Sequence, residues 1–339
     1  MINRNLAIIL LSTFALSACA KSANEPQTPS THQKNVSPEL QAQIQKLLEK
    51  TKKNMIFVEG GTFMMGDFDH YDSKIDSKPV HKVTLDSFSM SAYKATYADL
   101  DIYSAATNTP KVGSTESHSS QFRYPVSSAG VSWQEGRNYC QWLGTQLKLD
   151  IDLPTEAQWE YAARNRGQKI HFPTNSGKIE DGVNVWDFDQ RKKLSREFKS
   201  IGTSISVNGR YPPSKLGFYD LITDNYEWML DWYAADYYQN SPEKTPQGPK
   251  TGTEKVLRSA KPLDGQSLQM GEGLTVRRSH AHPIQPVDFP ERFKGVINPN
   301  FDNSVRCVVN QTALLHKDLK CKAPLIEPNL RRNLGKWST

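Results

Sequence analysis

The sequence predicts an α+β domain with low regular secondary structure, and three observations lead there. Helix starts are written twice into residues 131–164, VSWQEGRNYCQWLGTQLKLDIDLPTEAQWEYAAR: Ser132 with Glu135, and Thr155 with Gln158, are capping boxes, in which two side chains satisfy the free backbone amides of a first turn. Strand-like runs are short, residues 55–58 and 79–85. Twenty Gly and twenty Pro in 339 residues demand many turns and irregular connections. An apolar content of 37%, with 13 Phe, 13 Tyr and 7 Trp, suffices for a sizeable core in one large or two ordinary domains. A net charge of +6 is mild at this length, and the absence of a long basic run excludes a nucleic-acid-binding class.

Taken in order, residues 1–18 read as a targeting leader. Arg4 is its positive end, and Leu6 to Leu16 is an apolar run too short to span a bilayer. The run ends in Leu16-Ser17-Ala18-Cys19, which resembles a bacterial lipobox and implies lipidation of Cys19; the alternative is an ordinary secretory signal with a chance cysteine. Ala20 rather than Asp after the cysteine points to the outer membrane, hence to a periplasm-facing, oxidising location. Residues 19–36 are a polar, Pro/Ser/Thr-rich tether. Residues 37–53 form a helix capped by Ser37 with Pro38 in its first turn; Leu40, Ile44, Leu47 and Leu48 are its apolar stripe, suited to packing on the domain or to meeting a partner.

The domain proper is expected over residues 54–310, with 311–339 as a C-terminal extension. It opens with a strand at 55–58, a Gly60-Gly61 turn and Phe63-Met64-Met65-Gly66. The strand over 79–85 carries His81, which reads as a packed or surface residue rather than a ligand. Thr96 to Thr107 is a helix, with Tyr97, Leu100 and Tyr103 at three-residue spacing. In the helix after Ser132, Gly136, Tyr139, Cys140, Leu143 and Leu147 make one apolar stripe; Trp159, Ala162 and Ala163 do so in the next. Residues 187–210 show little periodicity.

Residues 131–164 resemble the signature of the formylglycine-generating enzyme (sulfatase-modifying factor) family, in which a V-S-W segment, a Tyr-Cys-x-Trp helix and an L-P-T-E-A-x-W-E-Y-A-A-R helix follow one another. Residues 217–232 are similar to its Gly-Leu-Tyr-Asn/Asp, Gly-Asn-x-Trp-Glu-Trp and Asp-Trp segments. The resemblance implies the family's irregular fold, related to the C-type lectin fold. It also implies a disulfide between Cys140 and Cys307, which leaves Cys321 over. For calcium it implies Asp220, the carbonyls of Thr223 and Asn225, and Glu227 in one place, and the Asn184 side chain with the Val185 carbonyl in another; hard oxygen ligands suit that ion. Thr223 stands where the family has Gly, which places a β-branched residue in a turn expected to need positive φ. Asp152 stands where the family has Arg.

The family's chemistry uses two cysteines that bind copper between an Arg-Gly-Gly-Ser turn and the closing strand. Cu(I) is soft and prefers sulfur. Here no cysteine lies between Cys140 and Cys307, and the turn reads Arg258-Ser259-Ala260-Lys261, without glycine; no copper is expected. His280 and His282 would share one strand face as a metal pair or fill a surface or packing role, and Arg277 and Arg278, on opposite faces, would offer one guanidinium to an anionic group in a binding cleft. The expectation is a non-catalytic, lipid-anchored module that binds a protein, such as a secreted effector or secretion-apparatus component, as a type VI secretion immunity or accessory protein. The alternative is a formylglycine-generating-type oxidoreductase or other metal-dependent modifying enzyme with a non-cysteine site.

Overall fold

The computed structural model describes residues 36–113, 123–199, 207–260, 272–284 and 302–310. The expected leader, Cys19 and the tether to residue 35 lie outside the described residues, as do the extension beyond 310 and Cys321.

Helix α1 (Pro38–Lys53) starts where its sequence places it, with the Ser37 hydroxyl accepting from the Leu40 amide at 3.2 Å. Ile44 and Leu47 are buried, and Lys50 reaches Asp99 of α2 (Tyr97–Thr107) at 2.8 Å, so α1 packs onto the domain. Asp99 also completes a capping box with Thr96. Strand β1 (Met55–Val58) pairs antiparallel with β4 (Phe88–Ser91). β4 pairs with β10 (Val308–Val309), and β10 with β5 (Ile151–Asp152), giving a sheet ordered β1-β4-β10-β5. Strands β2 (Gly61–Met65) and β3 (His81–Leu85) form a separate antiparallel pair. A second four-stranded sheet runs β8 (Ser279–Ala281), β7 (Lys255–Arg258), β6 (Tyr226–Trp232), β9 (Asn303–Ser304); its β6–β9 contact is parallel. The longest strand has 7 residues, in keeping with an α+β class poor in regular structure.

Helices α3 (Trp133–Leu147) and α4 (Glu156–Ala163) carry the two capping boxes read from the sequence. In α3, Tyr139, Cys140 and Leu143 enter one apolar cluster with Leu100, Trp228 and Val305, while Leu147 is only half-buried. A Cβ at Gly136 would come within 2.2 Å of Val305, so this helical glycine lets α3 lie against the closing segment. Trp159, Ala162 and Ala163 of α4 join a second cluster with Phe63, Val83, Phe88 and Met229. Cys140 and Cys307 form the expected disulfide, 167 residues apart in sequence. Asp152 receives the Arg137 guanidinium in two hydrogen bonds, at 3.0 and 2.9 Å, which ties α3 to β5.

The sequence concealed one helix. Helix α5 (Phe188–Glu197) lies in the stretch of little periodicity; Asp187 caps it by accepting from the Gln190 amide at 2.6 Å. Only Arg191, Leu194 and Ser195 are buried, so the apolar stripe is too narrow to show.

Candidate functional site

Helix α4 sets three charged groups, Glu156, Glu160 and Arg164, one turn apart on one face, and that face is turned inward. The Glu156 carboxylate accepts from Arg278 through Nε at 2.8 Å and Nη2 at 3.0 Å, and from Arg258 Nη1 at 2.9 Å. Glu160 accepts from Arg258 Nη2 at 3.0 Å, Arg164 Nη1 at 2.8 Å and the Gly66 amide at 2.9 Å. All five side chains are almost fully buried. Burial pushes the Glu156 carboxyl upward, but the charges of Arg278 and Arg258 outweigh it and hold its pKa below the usual glutamate value. Buried charges are tolerated only when paired and hydrogen-bonded, as these are.

This network takes up one of the four residues expected at a binding cleft. Arg278 is an interior strut, its Nη1 also donating to the Asp76 carbonyl at 2.8 Å. Arg277 is the outward member of the two and pairs with Asp72. Both precede β8, so strand alternation is not what separates them. His280, on β8, stacks on Tyr233 at 3.9 Å and sets Nδ1 2.9 Å from Glu254. His282 is exposed and lies past the end of β8, so the two imidazoles do not share a strand face. Among the described residues, no group of three or more His, Cys, Asp or Glu side chains is gathered to hold a metal.

The expected calcium donors converge, with a different occupant. The Lys94 ammonium donates to the carbonyls of Thr223 and Asn225, both at 2.5 Å, and to Ser259 Oγ at 3.3 Å, and stands 3.8 Å from Glu227 Oε1. Glu227 is held from its other side by Arg306, through Nε and Nη2 at 3.0 Å each, and by Trp159 Nε1 at 3.0 Å. Asp220 accepts instead from the Gly209 amide at 2.7 Å. Burial and the neighbouring Asp224 raise the Asp220 carboxyl to about 7, and burial raises Asp224 in turn. A divalent ion would share this point with two buried cations, and the residues present do not fit one. The other expected pair is committed within its own loop: Asn184 Oδ1 accepts from the Glu180 amide at 2.9 Å, its Nδ2 donates to Glu180 Oε2 at 3.0 Å, and the Val185 carbonyl accepts from Gly182 at 2.9 Å.

Two backbone expectations change as well. Positive φ falls on Asp220 (56°) and Asp224 (76°), not on Thr223; aspartate tolerates that region better than a β-branched residue. Ser259 takes φ 79°, so the turn without glycine keeps a left-handed residue. Lys94 itself gave no signal in the sequence: one lysine in Ser91-Ala92-Tyr93-Lys94-Ala95 reads as solvated. A cleft of about 30 Å³, lined by residues including Lys50, Tyr93, Lys94, Tyr139 and Cys307, holds room for water and not for an organic substrate.

A model of the sulfatase-modifying factor enzyme 1-like domain matches residues 41–289. The chain is similar to the serine/threonine-protein kinase pkn1 of Chlamydia pneumoniae, at 28% identity over 224 residues, 60% of this chain and 32% of that protein. It is similar to the formylglycine-generating enzyme of Mus musculus, at 26% over 251 residues, 60% of this chain and 64% of that protein. A third relative, the inactive C-alpha-formylglycine-generating enzyme 2 of Bos taurus, is 31% identical over 117 residues, 34% of this chain and 35% of that protein. The matches thus span about a third of the kinase and less than two thirds of the mouse enzyme. Among solved structures, PvdO from Pseudomonas aeruginosa shares the fold, with a TM-score of 0.56 and 21% identity over 76% of this chain and 94% of that chain.

Proposed function

The chain belongs to the sulfatase-modifying factor enzyme 1-like domain family, and from that premise we propose that it is a non-catalytic member: a lipid-anchored, periplasm-facing module that binds a protein partner. One observation carries the reading. The domain's two cysteines, Cys140 and Cys307, are consumed in a disulfide, and no cysteine lies between them in the sequence. A site that binds Cu(I) through a thiolate pair has no thiolates to use there. The bovine relative whose name calls it inactive shows that such members carry the family's sequence pattern. The kinase name does not transfer: this chain contains neither an H-R-D nor a D-F-G tripeptide, the segments that hold a kinase's catalytic base and magnesium.

In this reading Cys19 carries the lipid, and the partner is a protein met in the periplasm, such as a secreted effector or a component of a secretion apparatus. The test has two arms. The purified domain is incubated with a cysteine-containing peptide, copper and oxygen, and the peptide is weighed by mass spectrometry; the peptide mass stays unchanged, and conversion of its cysteine to an aldehyde sinks the reading. The tethered protein is then used as bait in envelope extracts. A stoichiometric protein partner is expected, retained by the wild type and lost from the membrane fraction with Cys19→Ser.

A further inference from the structure

We propose that the Lys94 ammonium is the resident cation of the site this family's pattern assigns to calcium, so that this domain holds its turn without a metal, and that removing the ammonium turns the site into a calcium site.

The geometry is that of an ion cradle with the ion supplied by the chain. The carbonyls of Thr223 and Asn225 point at one place from a single tight turn, with Glu227 at its edge. Two backbone carbonyls and a carboxylate so arranged are hard ligands suited to a cation. Lys94 Nζ donates to both carbonyls, so it occupies the point on which they converge. The three hydrogens of an ammonium match three acceptors, Thr223 O, Asn225 O and Ser259 Oγ, and the Glu227 carboxylate stands 3.8 Å away to balance its charge. Lys94 is also wholly buried, where an unpaired charge would not persist. Its stem leaves the segment that follows β4, an interior strand of the first sheet, so the tie joins that segment to the turn before β6.

Charge balance excludes joint occupancy. Glu227 is shared between Lys94 and the two-point contact of Arg306. Asp220, the second carboxylate the pattern assigns to the ion, accepts from Gly209 and is not bonded to Lys94. Lys94 supplies one positive charge where calcium would bring two, and Arg306 supplies the remainder beside the same carboxylate. With the ammonium gone, the two carbonyls would face a cavity without a donor, with Glu227, still held by Arg306, at its edge and Asp220 nearby.

The experiment is thermal unfolding of the wild-type domain, Lys94→Ala and Lys94→Met, each with EGTA, with millimolar magnesium and with millimolar calcium. The wild type is expected to show one Tm in all three buffers. Lys94→Ala loses roughly 10 °C in EGTA, because two buried carbonyls lose their donor and Glu227 loses one of its two neighbouring cations, and calcium but not magnesium restores roughly half of that. Lys94→Met, which fills the space with an uncharged stem, loses stability without recovering it in calcium. A saturable rise of the wild-type Tm in calcium overturns the proposal whatever the variants do, including the case in which Lys94→Ala does not fold in EGTA. A folded Lys94→Ala that ignores calcium overturns it as well.

Discussion

Arg277 and Arg278 are neighbours in sequence and belong to two different regions of the molecule. Arg278 points into the ionic centre behind α4, where Glu156, Glu160, Arg258 and Arg164 are buried and each carboxylate oxygen has an arginine partner. Arg277 lies just before β8 and, partly exposed itself, makes a single ion pair with Asp72, while His280 and His282 beyond it are exposed, with one ion pair and one stacked ring at His280. The contrast shows where this chain has kept its constraints. In the centre each charge needs a particular partner, since an unpaired buried ion is strongly destabilising. At the edge a change at His280 or His282 leaves the remaining groups in contact with water. The frame is fixed from within, while the surface beside the family's chemical segment is free to diverge.

The largest expected effect breaks the centre. Arg278→Ala removes two of the three arginine hydrogen bonds to the buried Glu156 carboxylate and should cost about 3–5 kcal/mol in denaturant unfolding. Arg277→Ala, which removes one partly exposed partner of Asp72, should cost about 1–2 kcal/mol. Equal losses would erase the distinction drawn between the two.

A second measurement sharpens the comparison through pH. Asp231 accepts from the Glu156 amide at the start of α4 at 2.9 Å; burial, with the Glu156 charge adding to it, raises its carboxyl from 3.8 to about 7. Between about pH 4 and 7 the folded state therefore keeps a proton that the unfolded chain has released. The contribution is fully present below pH 4 and is lost as pH rises through 7. Asp220 acts in the same direction. Unfolding free energies of Asp231→Asn, whose amide oxygen still accepts from Glu156, should lack a few kcal/mol of that decline. An unchanged profile would show that Asp231 is ionised in the fold.

The smallest effect belongs to the edge. His280→Ala and His282→Ala should move stability by no more than about 0.5–1 kcal/mol and leave the metal content unchanged. Loss of a stoichiometric metal in either variant would make this edge a metal site.

The same division governs what could be read from the sequence. Local signals were legible: the capping pairs Ser132/Glu135 and Thr155/Gln158, Pro38 after Ser37, and the apolar spacing of α3 each act within a few residues. The disulfide was legible because both cysteines stand in segments resembling the family's own. Helix α5 was not, because its one cap precedes a charged segment with a single buried leucine. The ionic centre was half visible: Glu156, Glu160 and Arg164 fall four apart in an otherwise apolar helix, which marks an inward charged face. Their partners Arg258 and Arg278 come from segments about 100 residues or more away, and local periodicity has nothing to say at that range. Lys94 was invisible for the same reason, and its acceptors at 223 and 225 were assigned to calcium in its place.

The central claim is that this scaffold works without metal, Cys140 and Cys307 locked in a disulfide and its ion cradle filled by its own lysine. Elemental analysis of the protein, purified from its native compartment without chelator, tests this most directly. The account predicts copper and calcium each far below one equivalent per chain. About one equivalent of either metal, retained through gel filtration, would contradict it.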